Sequence, residues 1–372
     1  MNLINNKEAF FELLRGGLWE QNVELRKYET TDWAEIMRLA EAQSVVGLVA
    51  AGFEHVKDVK IPQEWALQFI GQTLQIEQRN KAMNVFIAEL IEKLRRADVY
   101  TLLVKGQGIA QCYERSLWRA SGDVDLLLDT KNYEKAKTFL SPLADSDEPE
   151  VKYRLHKAYH IGGFEVELHG NMRGRFLKRV DCVVDDVQVE MFEHKRFRNW
   201  QNGDSNIMLP AADEDIIFVF AHILQHFFIE GIGLRQFCDL ARLIWTYRNT
   251  IDVGILEKRL SKMEMMTEWK TIGALLVDYL GMPANTMPLY SDSPKWRKKA
   301  DGMVEFIMET GNFGHNRDTA KTYQYPFVVR KIISLVRHTW DGVKYLRIFP
   351  LDAMKIWMEM IETGVHVAVR GE

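Results

Sequence analysis

Ten residues, Arg119-Ala-Ser-Gly-Asp-Val-Asp-Leu-Leu-Leu128, constrain the fold more than any other stretch of the chain. A strand turns successive side chains to opposite faces, so residues two apart point the same way. Read as a strand, the segment sets Asp123, Asp125 and Leu127 on one face and Val124, Leu126 and Leu128 on the other. Adjacent carboxylates repel, and a core strand has little reason to begin that way unless a divalent cation neutralises them. The segment therefore predicts a buried strand headed by a candidate magnesium site, built for chemistry on phosphates.

Two neighbouring stretches extend that site. Val99–Val104 reads as a buried strand leading into Lys105-Gly-Gln-Gly108 and a helix over Ile109–Arg115. Glycines at such a junction leave backbone N–H groups open to a phosphate, and Lys105 adds charge; the same turn also occurs without any ligand. After the Gly162-Gly163 turn signal, Phe164–His169 alternates strictly. Glu165, Glu167 and His169 share its polar face. Glu167 is the expected third carboxylate and Glu165 its competitor, because Glu167 lies deeper, beside Leu168-His169. Three carboxylates from two strands suit two magnesium or manganese ions, which favour hard oxygen ligands. Such ions activate an attacking hydroxyl and stabilise a leaving pyrophosphate.

The rest of the chain is mostly helical in pattern. Helices are expected over Glu8–Leu18, Trp33–Leu39 and Ser44–Phe53, along Met83–Leu94, and over Thr130–Leu143. Val187–Phe192 and Asn206–Leu209 are weaker strand candidates. Asp213 is the expected N-cap of Glu214–Phe228, followed by helices at Leu234–Tyr247 and Ile272–Leu280 and by breaks at Tyr325-Pro-Phe and Phe349-Pro-Leu. The layout is a helical region over 1–76, an α/β core over 77–209 and a helical region over 210–372.

At 372 residues the chain exceeds one small core. A net charge of −4, from 48 basic and 52 acidic residues, argues against bulk nucleic-acid binding. Three scattered cysteines, Cys112, Cys182 and Cys238, suit reduced buried thiols. The N-terminus lacks a leader pattern. The longest apolar run, Ile216–Ile229, is broken by His222, Gln225 and His226, short of the roughly 18 residues of a membrane span. A cytoplasmic protein without membrane contact is expected.

The strings Leu103-Val-Lys-Gly106, Arg119-x-Ser-Gly-Asp-Val-Asp-Leu126 and Val166-Glu-Leu-His169 resemble an uncharacterised bacterial nucleotidyltransferase family of the DNA polymerase beta-like superfamily. Downstream, Ala212–Glu214, His222 and Gly233-Leu-Arg-Gln-Phe-Cys-Asp239-Leu-Ala-Arg extend the resemblance to about residues 80–245. It implies an α+β fold, a small mixed sheet flanked by helices. It also implies that Asp123, Asp125 and Glu167 are the catalytic, metal-binding triad for Mg2+ or Mn2+. The substrates would be an NTP such as ATP and an unidentified hydroxyl or phosphate acceptor. Lys105, Gly106, Gly108, Arg119, Ser121 and Gly122 would hold the nucleotide, with His169, His222, Arg235 and Asp239 in support. The chain departs from the superfamily in having Lys105-Gly106 for the usual Gly-Ser, a longer gap from Gly106 to Asp123, and glutamate for aspartate at 167. Two rivals share these residues: a catalytically inactive nucleotide-binding or regulatory module, and a metal-dependent phosphohydrolase.

Other residues carry two readings. Arg119 either reaches a phosphate or stabilises a turn. His222 and His226 share a helix face, but Ile223 replaces the glutamate of a zinc helix, so they are structural or face a substrate. Arg235 and Asp239 would by default form a helix-surface ion pair. The basic clusters His194–Arg198 and Lys295–Lys299 read as solvated surface.

Overall fold

Apolar residues at three- and four-residue spacing wind the N-terminal region into α1 (Leu3–Trp19), α2 (Trp33–Ala42) and α3 (Val46–Phe53). The computed structural model describes residues 3–28, 31–152, 155–174, 177–229, 231–314, 316 and 327–358. α4 (Gln63–Arg96) then runs unbroken for 34 residues. Its first half gives Phe69 to the core of α1–α3, and its second half gives Met83, Ile87, Leu90, Ile91 and Leu94 to the sheet. The expected boundary at 76/77 therefore falls inside one helix.

The central sheet has the order β1-β2-β5-β4-β3, with β1 Leu102–Val104, β2 Asp123–Leu127, β3 Ser146–Asp147, β4 His156–Ile161 and β5 Phe164–His169. β2 and β5 are parallel and the other neighbours antiparallel, a mixed sheet. A parallel pair needs a crossover, which runs through α6 (Thr130–Leu140), β3 and β4. One face packs Leu103, Val124, Leu126, Val166 and Leu168 against α4 and against Tyr133, Ala136 and Leu140 of α6. The other face carries the carboxylates. It is closed over by α5 (Gly106–Ala110), α8 (Ala212–Ile229) and α9 (Leu234–Tyr247). α7 (Lys178–Glu193) and the hairpin β6 (Phe197–Asn202)–β7 (Ser205–Pro210) precede α8; the hairpin packs on β1 and α4. α10 (Val253–Met263), α11 (Met266–Asp278), α12 (Pro294–Thr310) and α13 (Phe327–Ile348) complete the helical flank. No helix among the described residues is long and apolar enough to cross a membrane.

Several local expectations fail. Val187–Phe192 is helical, within α7: Val180, Val183, Val184, Val187 and Met191 recur at helical spacing toward the core, which overrides the β-branched content. The helix expected over Ile109–Arg115 is instead α5, ending at Ala110; Tyr113 turns inward and donates to Asp239 at 2.7 Å. Asp213 is not an N-cap but a first-turn residue of α8, paired at 3.1 Å with Arg196. The 194–198 cluster is divided: His194 and Lys195 are exposed as expected, while Arg196 pairs with Glu214 at 2.7 Å and Arg198 with Asp215 at 2.5 Å. Cys182 is exposed; Cys112 and Cys238 are buried. Phe349 breaks the helix before 350–358, while Tyr325-Pro326 lies outside the described residues.

One buried acid in the flank carries a prediction. Glu268 of α11 is fully buried, and burial together with the neighbouring Asp352 pushes its carboxyl up to about 8 from 4.5. The folded chain thus holds a proton that the unfolded chain releases between these values, so this group favours folding at low pH and loses that contribution as pH rises toward 8. Glu268→Gln cannot titrate there. Urea unfolding at pH 6 to 9 is expected to show a flatter loss of stability in this variant than in wild type; parallel profiles would disprove the assignment.

Candidate active site

The register sets Asp125 beside Glu167 and Asp123 beside Glu165 across the parallel β2–β5 pair. One oxygen from each of Asp123, Asp125 and Glu167 lies within 4.8 Å of the others. Among the described residues, Glu165 is outside that group. The donors are hard oxygens on two adjacent strands, a set that suits magnesium or manganese.

Lys105 and two histidines surround the cluster. Lys105 Nζ donates to Asp125 Oδ1 at 2.9 Å, and His169 Nε2 lies 2.7 Å from the same oxygen. His156 Nε2 and His169 Nε2 approach Glu167 Oε2 at 3.1 and 3.3 Å. Burial alone would raise the Asp125 and Glu167 carboxyls, but Lys105 and His169 at the first, and His156 and His169 at the second, hold them below the ordinary range. Asp123 differs. The charge of Asp125, followed by burial, pushes it up to about 6. Without a cation, Asp123 is the strained member of the set.

Two residues of positive φ shape the junction after β1. Lys105 itself takes the left-handed conformation, φ 55°, followed by Gly106 at φ 35°. An added side-chain carbon at Gly106 would sit in ordinary contact, 3.4 Å, with the Asp123 carbonyl, so the positive φ is what calls for glycine at this turn. Gly108 is a packing residue, its Cβ position 3.0 Å from the Leu209 side chain. α5 has only five residues, so its dipole contributes little to anion binding. Lys105 is aimed at Asp125.

A cavity of about 380 Å3 opens above the carboxylates. Lys105, Gly106 and Gly122 line it from the sheet side, and Phe218, His222, Arg235 and Gln236 from α8 and α9. Its volume is in the range of small-molecule sites. His222 stays neutral, since burial and then His226 press its pKa well down.

Arg119 takes the turn-stabilising of its two readings, and Arg235 departs from its expected pair. Arg119 and Asp239 are each about 5% exposed as side chains and pair through Nε–Oδ1 at 2.9 Å and Nη2–Oδ2 at 2.6 Å. Arg119 also donates to Ser121 Oγ at 2.7 Å, so Ser121 helps fix the turn before β2. Arg235 donates to the Ala120 carbonyl at 3.1 Å, and its buried Nε has no hydrogen-bond partner among the described residues. Burial, and then the charge of Arg119, lower its proton affinity. The expected Arg235–Asp239 surface pair is replaced by an internal Arg119–Asp239 pair and an arginine facing the cavity.

His156 was not anticipated from the sequence, because His156–Ile161 shows no clean alternation. A signal did exist. Gly162 and Gly163 both have positive φ, 57° and 82°, as a two-residue hairpin turn requires. Counting back from that turn against Phe164–His169 places His156 opposite His169.

A model of a family described as an uncharacterised nucleotidyltransferase matches residues 29–280, more than half the chain. No curated protein and no solved structure matches it.

Proposed function

The chain belongs to the uncharacterised nucleotidyltransferase family, and we propose that it moves a nucleoside monophosphate from an NTP to a hydroxyl or phosphate acceptor, releasing pyrophosphate. The observation that carries this reading is the convergence of Asp123, Asp125 and Glu167 within 4.8 Å at the floor of a cavity that also presents Arg235. The three carboxylates would hold divalent cations. When bound, these would supply charge stabilisation at the transferred phosphate and lower the pKa of the attacking hydroxyl.

The chain's own groups do the rest. Lys105 and His169 fix the Asp125 carboxylate, and His156 and His169 fix that of Glu167, so these two acids remain ionised and oriented. Glu167, held below the ordinary range, is a poor proton acceptor; Asp123, pushed up to about 6, is the better one in the cation-free site. Arg119 and Asp239 brace the 119–122 turn instead of touching the nucleotide. Arg235 is the triphosphate cation. Its guanidinium has donors to spare and suits phosphate oxygens.

Arg235→Ala is therefore expected to weaken NTP binding by about 1.5–3 kcal/mol, the range for a hydrogen bond to a charged group, while Mg2+ affinity changes little. Titration calorimetry with NTP and with Mg2+ separately checks both. Undiminished NTP affinity would place the triphosphate elsewhere.

Incubation with α- and γ-labelled NTPs and Mg2+ or Mn2+ tests the reaction class. Pyrophosphate release with the α-label kept on an acceptor, the protein itself included, is the expected result. Orthophosphate release would mean a phosphohydrolase, and tight binding without turnover a nucleotide-binding module.

A further inference from the structure

A second set of metal-ligating groups adjoins the carboxylates. His156 on β4 and His169 on β5 are paired across the antiparallel register, with ring centroids 4.9 Å apart. Both direct Nε2 at one oxygen, Glu167 Oε2, at 3.1 and 3.3 Å. The three ligand atoms lie within 4.8 Å of one another. All three residues line the cavity, so an ion has an entry path.

Those separations carry information. Imidazole nitrogen and carboxylate oxygen bind first-row ions at about 2.0–2.2 Å, which puts neighbouring ligands of one ion about 2.8–3.5 Å apart. Both His–Glu distances fall in that interval. Two imidazoles and one carboxylate are also a different donor class from three carboxylates. Imidazole suits iron, zinc and the later first-row ions and is accepted by manganese, whereas magnesium takes oxygen ligands almost alone.

We infer that His156, Glu167 and His169 form a metal position for a first-row transition ion, joined through the Glu167 carboxylate to the all-oxygen position at Asp123 and Asp125. The inference deepens the proposed function and rests on this pocket being a metal centre. It assigns the two positions unequal chemistry. One accepts Mg2+ readily; the other discriminates against it. Asp125 Oδ1 is 2.7 Å from His169 Nε2, so a ligand of one position touches a ligand of the other. The tie from His169 to both carboxylates makes the positions interdependent.

Mn2+ titrated into the full-length chain past the one equivalent that the all-oxygen position takes, and followed by electron paramagnetic resonance, tests this without any turnover. Directly bound imidazole gives nitrogen coupling to the manganese spin. The expected result is such coupling in wild type, its reduction in both His156→Ala and His169→Ala, and its persistence in His222→Ala. Mn2+ affinity in His156→Ala should fall at least about tenfold, the smallest loss expected when even an outer partner of a metal ligand is removed. His156 is partly exposed, and the wild-type spectrum is decisive even if a variant misfolds. Manganese bound through oxygen alone would overturn the inference and leave the carboxylate site standing, with the two histidines reduced to hydrogen-bond partners of Glu167. Coupling that survives in both β-strand variants would overturn it as well. Absence of any Mn2+ binding would overturn both this inference and the metal-dependent reading beneath it.

Discussion

Asp123→Asn is expected to lower nucleotidyl transfer by about three orders of magnitude while leaving the metal-free protein at least as stable as wild type. The two effects share one cause. In the absence of a cation, Asp123 ionises against the charge of Asp125 and against burial, which pushes its carboxyl up to about 6. Its ionised form therefore costs stability at neutral pH, and asparagine removes that cost without changing the side-chain shape. The same substitution removes one of three oxygens that would share the cation. A loss of about 4 kcal/mol of transition-state stabilisation, typical of several kcal/mol for metal catalysis, corresponds to roughly a thousandfold in rate. Pyrophosphate release gives the first number and urea unfolding in chelator the second. Full activity would remove Asp123 from the site. A marked loss of stability in the metal-free variant would show that the carboxylate serves the fold instead.

What the sequence disclosed depended on periodicity. β2 and β5 alternate apolar and polar residues, so both strands and the shared face of Asp123, Asp125, Glu165, Glu167 and His169 could be read directly. The choice of Glu167 over Glu165 rested on depth in the strand, and it is Glu167 that stands in register with Asp125. β4 escaped because its residues, His156-Lys-Ala-Tyr-His-Ile161, mix polar and apolar side chains on both faces, and with it went His156. Pairings between segments distant in sequence were also out of reach. Arg119 and Asp239 are 120 residues apart, and no spacing rule joins them. The local i, i+4 rule instead joined Arg235 to Asp239 and so assigned the wrong arginine to the carboxylate. At Val187–Phe192, residue preference and helical spacing gave opposite answers, and burial of one helix face prevailed.

Asp239→Ala is expected to destabilise the protein by about 3–5 kcal/mol, the usual result of breaking a buried ion pair from one side. The geometry favours the upper part of that range. Both partners are about 5% exposed, the pairing is bidentate, and Asp239 Oδ1 also accepts from Tyr113 at 2.7 Å. Alanine would leave the Arg119 guanidinium buried without a counter-charge and the Tyr113 hydroxyl without its acceptor. The cost arises from that unpaired state more than from the attraction lost. The double variant Arg119→Met with Asp239→Leu removes both charges and is therefore expected to lose less stability than Asp239→Ala alone. Urea unfolding of the three proteins measures the ordering. A single-variant loss below about 1 kcal/mol, the scale of an exposed pair, or a double variant less stable than the single, would show that the pair does not anchor the fold. The consequence reaches the site because α9 carries Asp239 and the 119–122 turn leads directly into Asp123. Releasing Arg119 frees the segment that sets the head of β2, so Asp239→Ala should weaken divalent-cation binding even in the fraction of molecules that remains folded.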